Sequence, residues 1–122
     1  MDRIAIHERD DLMAALLREW LMSAGYPVSP LAQTALTPEA APPGLVIVSL
    51  ALPVRNEPRL LEVRRRYPGI PVLALSSRAR SGLSLNGTAA RALGVERILA
   101  KPLTRLELLA AVQSILGPPH PG

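Results

Sequence analysis

The chain contains no cysteine and no phenylalanine, and its only aromatic residues of the Phe, Trp and Tyr class are Trp20, Tyr26 and Tyr67. Without cysteine there is no disulfide and no thiolate metal site, which fits a reducing compartment. With so few aromatic rings, the core has to be built from Leu, Val, Ile and Ala. Long apolar runs are also lacking. No stretch approaches the roughly 20 apolar residues that a membrane-spanning helix needs. The charged residues Asp2, Arg3, Glu8, Arg9 and Asp10 interrupt the start, so it does not read as a secretory leader. The expected location is therefore the cytoplasm, with no membrane partner. No internal repeat is visible.

What is present is the composition of one globular domain. The 122 residues are 48% hydrophobic and 20% charged, enough for a single buried core. The domain is expected over residues 1–117. Pro118, Pro119, Pro121 and Gly122 then read as a tail or the start of a linker over 118–122. The net charge is +4 and almost all of the positive charge is arginine. Such an excess suits an acidic or nucleic-acid partner. Abundant Arg, Ala and Pro are also what GC-rich coding produces.

Strand and helix signals alternate along the chain. Arg3-Ile4-Ala5-Ile6-His7 reads as a strand. A helix should follow, capped by Asp10 or Asp11, with Leu12, Leu16, Leu17, Trp20 and Leu21 on its apolar face and Gly25 at its end. Prolines break Tyr26 to Pro43 so often that only a short strand near Val28 and one helical turn are expected there. Leu45-Val46-Ile47-Val48 and Val72-Leu73-Ala74-Leu75 are β-branched or aliphatic runs of the kind buried on both faces of a parallel sheet. Between them, Glu57-Pro58 opens a helix that Tyr67-Pro68-Gly69 closes. An Ala-rich helix is expected from Leu83 to Leu93, ending at Gly94, and a last strand over Arg97-Ile98-Leu99-Ala100. The final helix has a capping box, Thr104 with Glu107, and a hydrophobic staple, Leu103 with Leu108. Leu109, Val112 and Leu116 continue its apolar face.

This alternation predicts a three-layer α/β fold with a parallel sheet between helices. Sites in such sheets lie beyond the carboxyl ends of the strands. The residues found there are Glu8, Arg9 and Asp10 after the first strand, then Ser49, Ser76 and Lys101-Pro102.

In this order and spacing the chain resembles the receiver family of two-component response regulators. The matching stretches are Arg3 to Asp10, Pro43 to Pro53, Ile70 to Ser76, and Gly94 to Leu103, and the likeness extends to about Leu116. The resemblance implies a flavodoxin-like five-stranded sheet of order 2-1-3-4-5, with the second helix shortened or missing. It also implies a response-regulator role. A receiver carries two acidic residues after its first strand that help hold Mg²⁺; Glu8 matches one and Arg9 stands in place of the other. Its phosphoacceptor Asp falls at Ser49, and no Asp or Glu occurs between Leu45 and Asn56 to replace it. Ser76 matches the family's Thr or Ser, and Lys101-Pro102 match its Lys-Pro pair, whose peptide bond is cis in the family. Ile98 replaces its switch aromatic.

The expectation is a degenerate phosphorylation pocket formed by Glu8, Arg9, Asp10, Ser49, Ser76, Ile98, Lys101 and Pro102. Mg²⁺ binding would be lost, no cofactor held and no catalysis performed. The chain would then signal by contact with a protein partner or effector domain. Arg9 is expected to pair with Glu8 or Asp10 in the place of the metal, and Lys101 to pair with Glu8 or face solvent. Leu83, Leu85, Ala89, Leu93 and Arg97, with Ala90 and Ala92 nearby, are expected to form the contact surface, with homodimerisation as one use of it. Two other readings stand beside this one: a phosphorylatable receiver using Ser49 or a displaced carboxylate, and a nucleic-acid-binding module using the helix made basic by Arg55, Arg59, Arg64, Arg65 and Arg66. In the latter no stacking aromatics are interleaved.

Overall fold

The structure is a computed structural model and describes residues 3–29, 43–50, 57–76, 90, 91 and 93–118. Expectations for the helical turn between Pro30 and Pro43, for Leu83, Leu85 and Ala89, and for residues 119–122 fall outside these.

Among the described residues four parallel strands form a sheet: β1 (Ile4–His7), β2 (Leu45–Leu50), β3 (Val72–Ser76) and β4 (Arg97–Ala100), in the spatial order β1-β2-β3-β4. The complete helices among these residues are α1 (Asp11–Ser23), α2 (Pro58–Arg66) and α3 (Arg105–Leu116). Ala90, Arg91 and Leu93 are also helical. The expected strand near Val28 is a single parallel bridge to Ile4, held by Ile4 N–H to Pro27 O and Ser29 N–H to Ile4 O. Pro27 has no N–H with which to extend that ladder backwards. The bridge lies on the free side of β1, where a second strand would stand.

Period-2 alternation divides the core between the two faces of the sheet. Ile4, Leu45, Ile47, Leu73, Leu75 and Leu99 pack against α1 and α3. Ala5, Val46, Val48, Val72, Ala74 and Ile98 pack with Leu60 and Val63 of α2 and with Ala90 and Leu93. Both layers are almost wholly aliphatic.

Local signals explain the helix ends. The Asp10 carboxylate caps α1 by accepting from Leu12 N–H. Glu57 caps α2 by accepting from Arg59 and Leu60 N–H, with Pro58 as the first helical residue. Thr104 and Glu107 complete the capping box of α3. Leu12, however, is 77% exposed. The inward face of α1 is centred on Leu17, with Ala14 and Leu21 beside it. Leu12 lies about 140° round the helix from Leu17 at 100° per residue, so it points away from the core.

The Tyr26 hydroxyl donates to Gly117 O at 2.9 Å and ties the end of α3 to the turn after α1. Gly94 has φ +74°, and a Cβ there would run into the guanidinium of Arg64, which itself donates to Leu93 O. Gly94→Ala should therefore cost about 1–2 kcal/mol through the left-handed backbone and the displaced Arg64. Urea denaturation would measure this as a lower midpoint at unchanged slope.

Candidate functional site

The register brings Glu8 and Ser49 together. His7 pairs with Val48, so Glu8 follows β1 at the level of Ser49 in β2. Ser76 pairs with Leu50 on one side and Ala100 on the other, which sets Lys101 one step beyond the end of β3. Alternation directs Glu8, Ser49 and Lys101 to the side of the sheet that carries α1 and α3. The lysine reaches past the end of β3 to the other two. Lys101 N–H is anchored there by Ser76 O at 3.0 Å.

Lys101 Nζ donates to Glu8 Oε2 and to Ser49 Oγ, each at 2.6 Å. Glu8 is 5% exposed at its side chain and Lys101 21%. The other carboxylate oxygen, Glu8 Oε1, accepts from Asp10 N–H at 3.1 Å. Burial pushes the Glu8 carboxyl pKa up. The hydrogen bonds from Lys101 and Asp10, the lysine charge and the Ser49 hydroxyl outweigh this and hold it below its ordinary value. The net result is a carboxylate engaged on both oxygens and a lysine held between an anion and a hydroxyl. The Lys101–Pro102 peptide bond is cis, and Pro102 itself is exposed.

Several expected site residues stand elsewhere. Arg9 is exposed and, among the described residues, has no ion-pair partner; the pair with Glu8 is made by Lys101. The reason is geometric: Arg9 follows Glu8 directly in the chain, outside β1, while Lys101 projects from the strand ends toward the carboxylate. Asp10 serves α1 as its cap and meets Glu8 only through its backbone N–H. Ser76 is fully buried and alternation places it on the α2 side of β3. Ile98 is 3% exposed and belongs to the α2-side core. Of the expected contact surface, Leu93 and Ala90 are also core residues, at 5% exposure each, because they face α2 and the sheet; Arg97 is exposed. Among the described residues no three His, Cys, Asp or Glu side chains converge in a way that could hold a metal ion.

One contact had no sequence signal. His7 Nε2 lies 3.0 Å from the Tyr67 hydroxyl, the two rings meeting edge to face, and Arg66 covers the tyrosine ring. These groups join the end of β1 to the end of α2 across 60 positions of sequence.

No sequence-family model and no curated protein sequence matches the chain. Solved structures do. A response regulator receiver protein from Burkholderia phymatum superposes with a TM-score of 0.72 at 23% identity, covering 100% of both chains. The chemotaxis protein CheY4 of Vibrio cholerae gives 0.69 at 21% identity, over 95% of this chain and 99% of its own. This chain has the receiver fold. The signal receiver domain of an HD domain-containing protein from Pseudomonas fluorescens gives 0.66 at 23% identity, over 94% of both chains. In the receiver fold, Glu8, Ser49 and Lys101 stand at the carboxyl edge of the sheet, where open α/β sheets carry their sites. Among the described residues no helix is long and apolar enough to cross a membrane.

Proposed function

We propose that the chain is an atypical receiver domain that transmits a signal through protein–protein contact, without aspartyl phosphorylation and without catalysis of its own. The observation that carries this reading is the placement of Lys101 Nζ between Glu8 and Ser49. A hydroxyl stands at the acceptor position that the family resemblance assigns to Asp. It is a weak nucleophile unless a base takes its proton. The neighbouring carboxylate is the anion of an ion pair, with both oxygens already bonded, and is a poor base.

The residues also do not fit Mg²⁺. That ion takes near-octahedral oxygen ligands, usually one or two carboxylates and waters. Glu8 is committed to Lys101 and Asp10 N–H, Asp10 caps α1, and Arg9 adds a fixed cation next to them. The lysine ammonium supplies the positive charge that balances Glu8. The pocket then has one arrangement, and what the domain communicates depends on its surface and its neighbours. The Pseudomonas fluorescens receiver is part of an HD domain-containing protein; by analogy the partner proposed for this domain is an effector domain.

Incubation with acetyl phosphate and Mg²⁺, followed by intact mass, should leave the chain unmodified. In parallel, a Mg²⁺ titration should give no saturable change at the amides of Glu8, Ser49 and Lys101. A phosphoryl group gained at Ser49 would overturn the proposal in favour of an active receiver with unusual acceptor chemistry.

A further inference from the structure

The arginines at the end of α2, with Arg91 and Arg97, gather at the end of the sheet opposite Glu8 and Lys101. α2 starts at the carboxyl edge of the sheet and runs back antiparallel to the strands, so its last turn, Arg64, Arg65 and Arg66, lies at the amino edge. The helical residues Ala90, Arg91 and Leu93 end there too, and Arg97 opens β4 at the same edge. All five of these arginines are exposed. Arg64 donates to Leu93 O, so the two helix ends adjoin and the surface is continuous. On the same elements the carboxylates among the described residues outside the buried cap Glu57 are Glu62 and Glu96. Five guanidinium groups therefore face two carboxylates.

Helix ends account for part of this. A cation at a helix C-terminus offsets the negative end of the dipole, and Arg64 does so directly at Leu93 O. Arg65, Arg91 and Arg97 exceed that need. Within the same surface Leu61 is 49% exposed, and Arg64 and Arg65 lie one turn further along the same side of α2. An exposed apolar residue with arginines one turn away has the composition of a protein interface, an apolar centre with a charged rim, and guanidinium groups donate to carboxylates in bidentate fashion.

A nucleic-acid backbone fits less well, because phosphate and sugar offer nothing apolar to seat on the exposed Leu61. The one nearby aromatic ring, Tyr67, is 7% exposed and covered by Arg66 and His7, so no base can stack on it.

We infer that the outer face of α2, with Arg91 and Arg97, is a docking surface for an acidic protein segment whose carboxylates surround an apolar residue seated on Leu61. The surface does not involve Glu8, Ser49 or Lys101, and the inference stands whatever the state of that pocket.

The test uses the full chain, isotopically labelled for amide NMR, and three probes: a synthetic helical peptide of Glu and Leu, the same peptide with Leu replaced by Ala, and a short DNA duplex. The Glu/Leu peptide should bind saturably, with shifts confined to Leu61, Arg64–Arg66, Arg91 and Arg97. The Ala peptide and the Leu61→Ala variant should each bind at least threefold more weakly. Arg65→Glu with Arg91→Glu should weaken binding by at least tenfold, about 1.4 kcal/mol. Both positions are exposed and bear none of the core, and an unchanged amide spectrum would verify the fold. Absence of saturable binding to the Glu/Leu peptide, shifts scattered over other faces, or tighter binding to the duplex would each overturn the inference.

Discussion

The Arg9→Asp, Ser49→Asp double variant is expected to bind Mg²⁺ saturably and to take up one phosphoryl group from acetyl phosphate, where the parent chain is expected to do neither. The charge around Glu8 sets this expectation. In the parent, one carboxylate faces Lys101, and Arg9 is the adjacent residue. The double variant presents Glu8 and two Asp side chains at the carboxyl ends of β1 and β2, with Lys101 left to bridge Glu8 and Asp at position 49. Exchanging a cation for an anion near a divalent ion alters four unit-charge pairs, each of about 1 kcal/mol at 4 Å in water. Arg9 is exposed, so salt screens much of that. At least tenfold in Mg²⁺ affinity should remain, about 1.4 kcal/mol. The acceptor change is qualitative: a carboxylate at pH 7 is already the anion that attacks phosphorus, whereas a hydroxyl needs a base. Arg9→Asp alone should gain weak Mg²⁺ binding and no phosphoryl group, and Ser49→Asp alone should do poorly at both. Intact mass and the same amide titration read all three. If the double variant stays unmodified and blind to Mg²⁺, the loss lies elsewhere than in Ser49 and Arg9.

That design is possible because the positions of Glu8, Ser49 and Lys101 were legible from local patterns. The runs Leu45–Val48 and Val72–Leu75 are buried on both faces, and so read as strands without any help from their neighbours. Once strands are located, the residues just past their ends are the candidates for a site. Caps were legible for the same reason: Thr104 with Glu107, or Glu57 before Pro58, act within one turn. What was not legible required knowing which side chain reaches which. Arg9 and Lys101 are both cations near Glu8 in a plausible alignment. The choice between them depends on the direction in which each leaves its backbone, and a list of spacings does not contain it. Ile98 and Leu93 read as pocket or surface residues by alignment, while the layer that α2 forms over the sheet makes both of them core. The His7–Tyr67 contact joins residues 60 apart and has no periodicity to announce it. Leu12 shows the opposite failure. Apolar residues four apart suggested a stripe, but the helix presents Ala14, Leu17 and Leu21, and Leu12 is left in solvent.

The second large effect is on stability. Lys101→Met removes the cation from a carboxylate that is 5% exposed at its side chain. Removing one partner of a fully buried pair costs about 3–5 kcal/mol. Here Lys101 is 21% exposed, water reaches the site, and a loss of roughly 2 kcal/mol at neutral pH is expected. The pH dependence separates this cause from loss of packing. In the parent, the folded-state pKa of Glu8 lies below its ordinary value of 4.5. The associated stability is therefore present above that value and is lost as pH falls through the folded-state pKa. In the variant, burial, the largest single influence on this group, is left with only Asp10 N–H and Ser49 against it. The carboxyl should then titrate above its ordinary value, and the sign reverses. The Glu8 contribution is now destabilising at neutral pH and is relieved as pH falls through the raised pKa. The gap between parent and variant should accordingly narrow between neutral pH and pH 4 in chemical denaturation. Glu8→Gln added to Lys101→Met should recover most of the loss at neutral pH, because a neutral amide needs no cation. A gap that stayed constant across that range, or that Glu8→Gln did not close, would mean that Lys101 stabilises the domain through its stem and not through its charge.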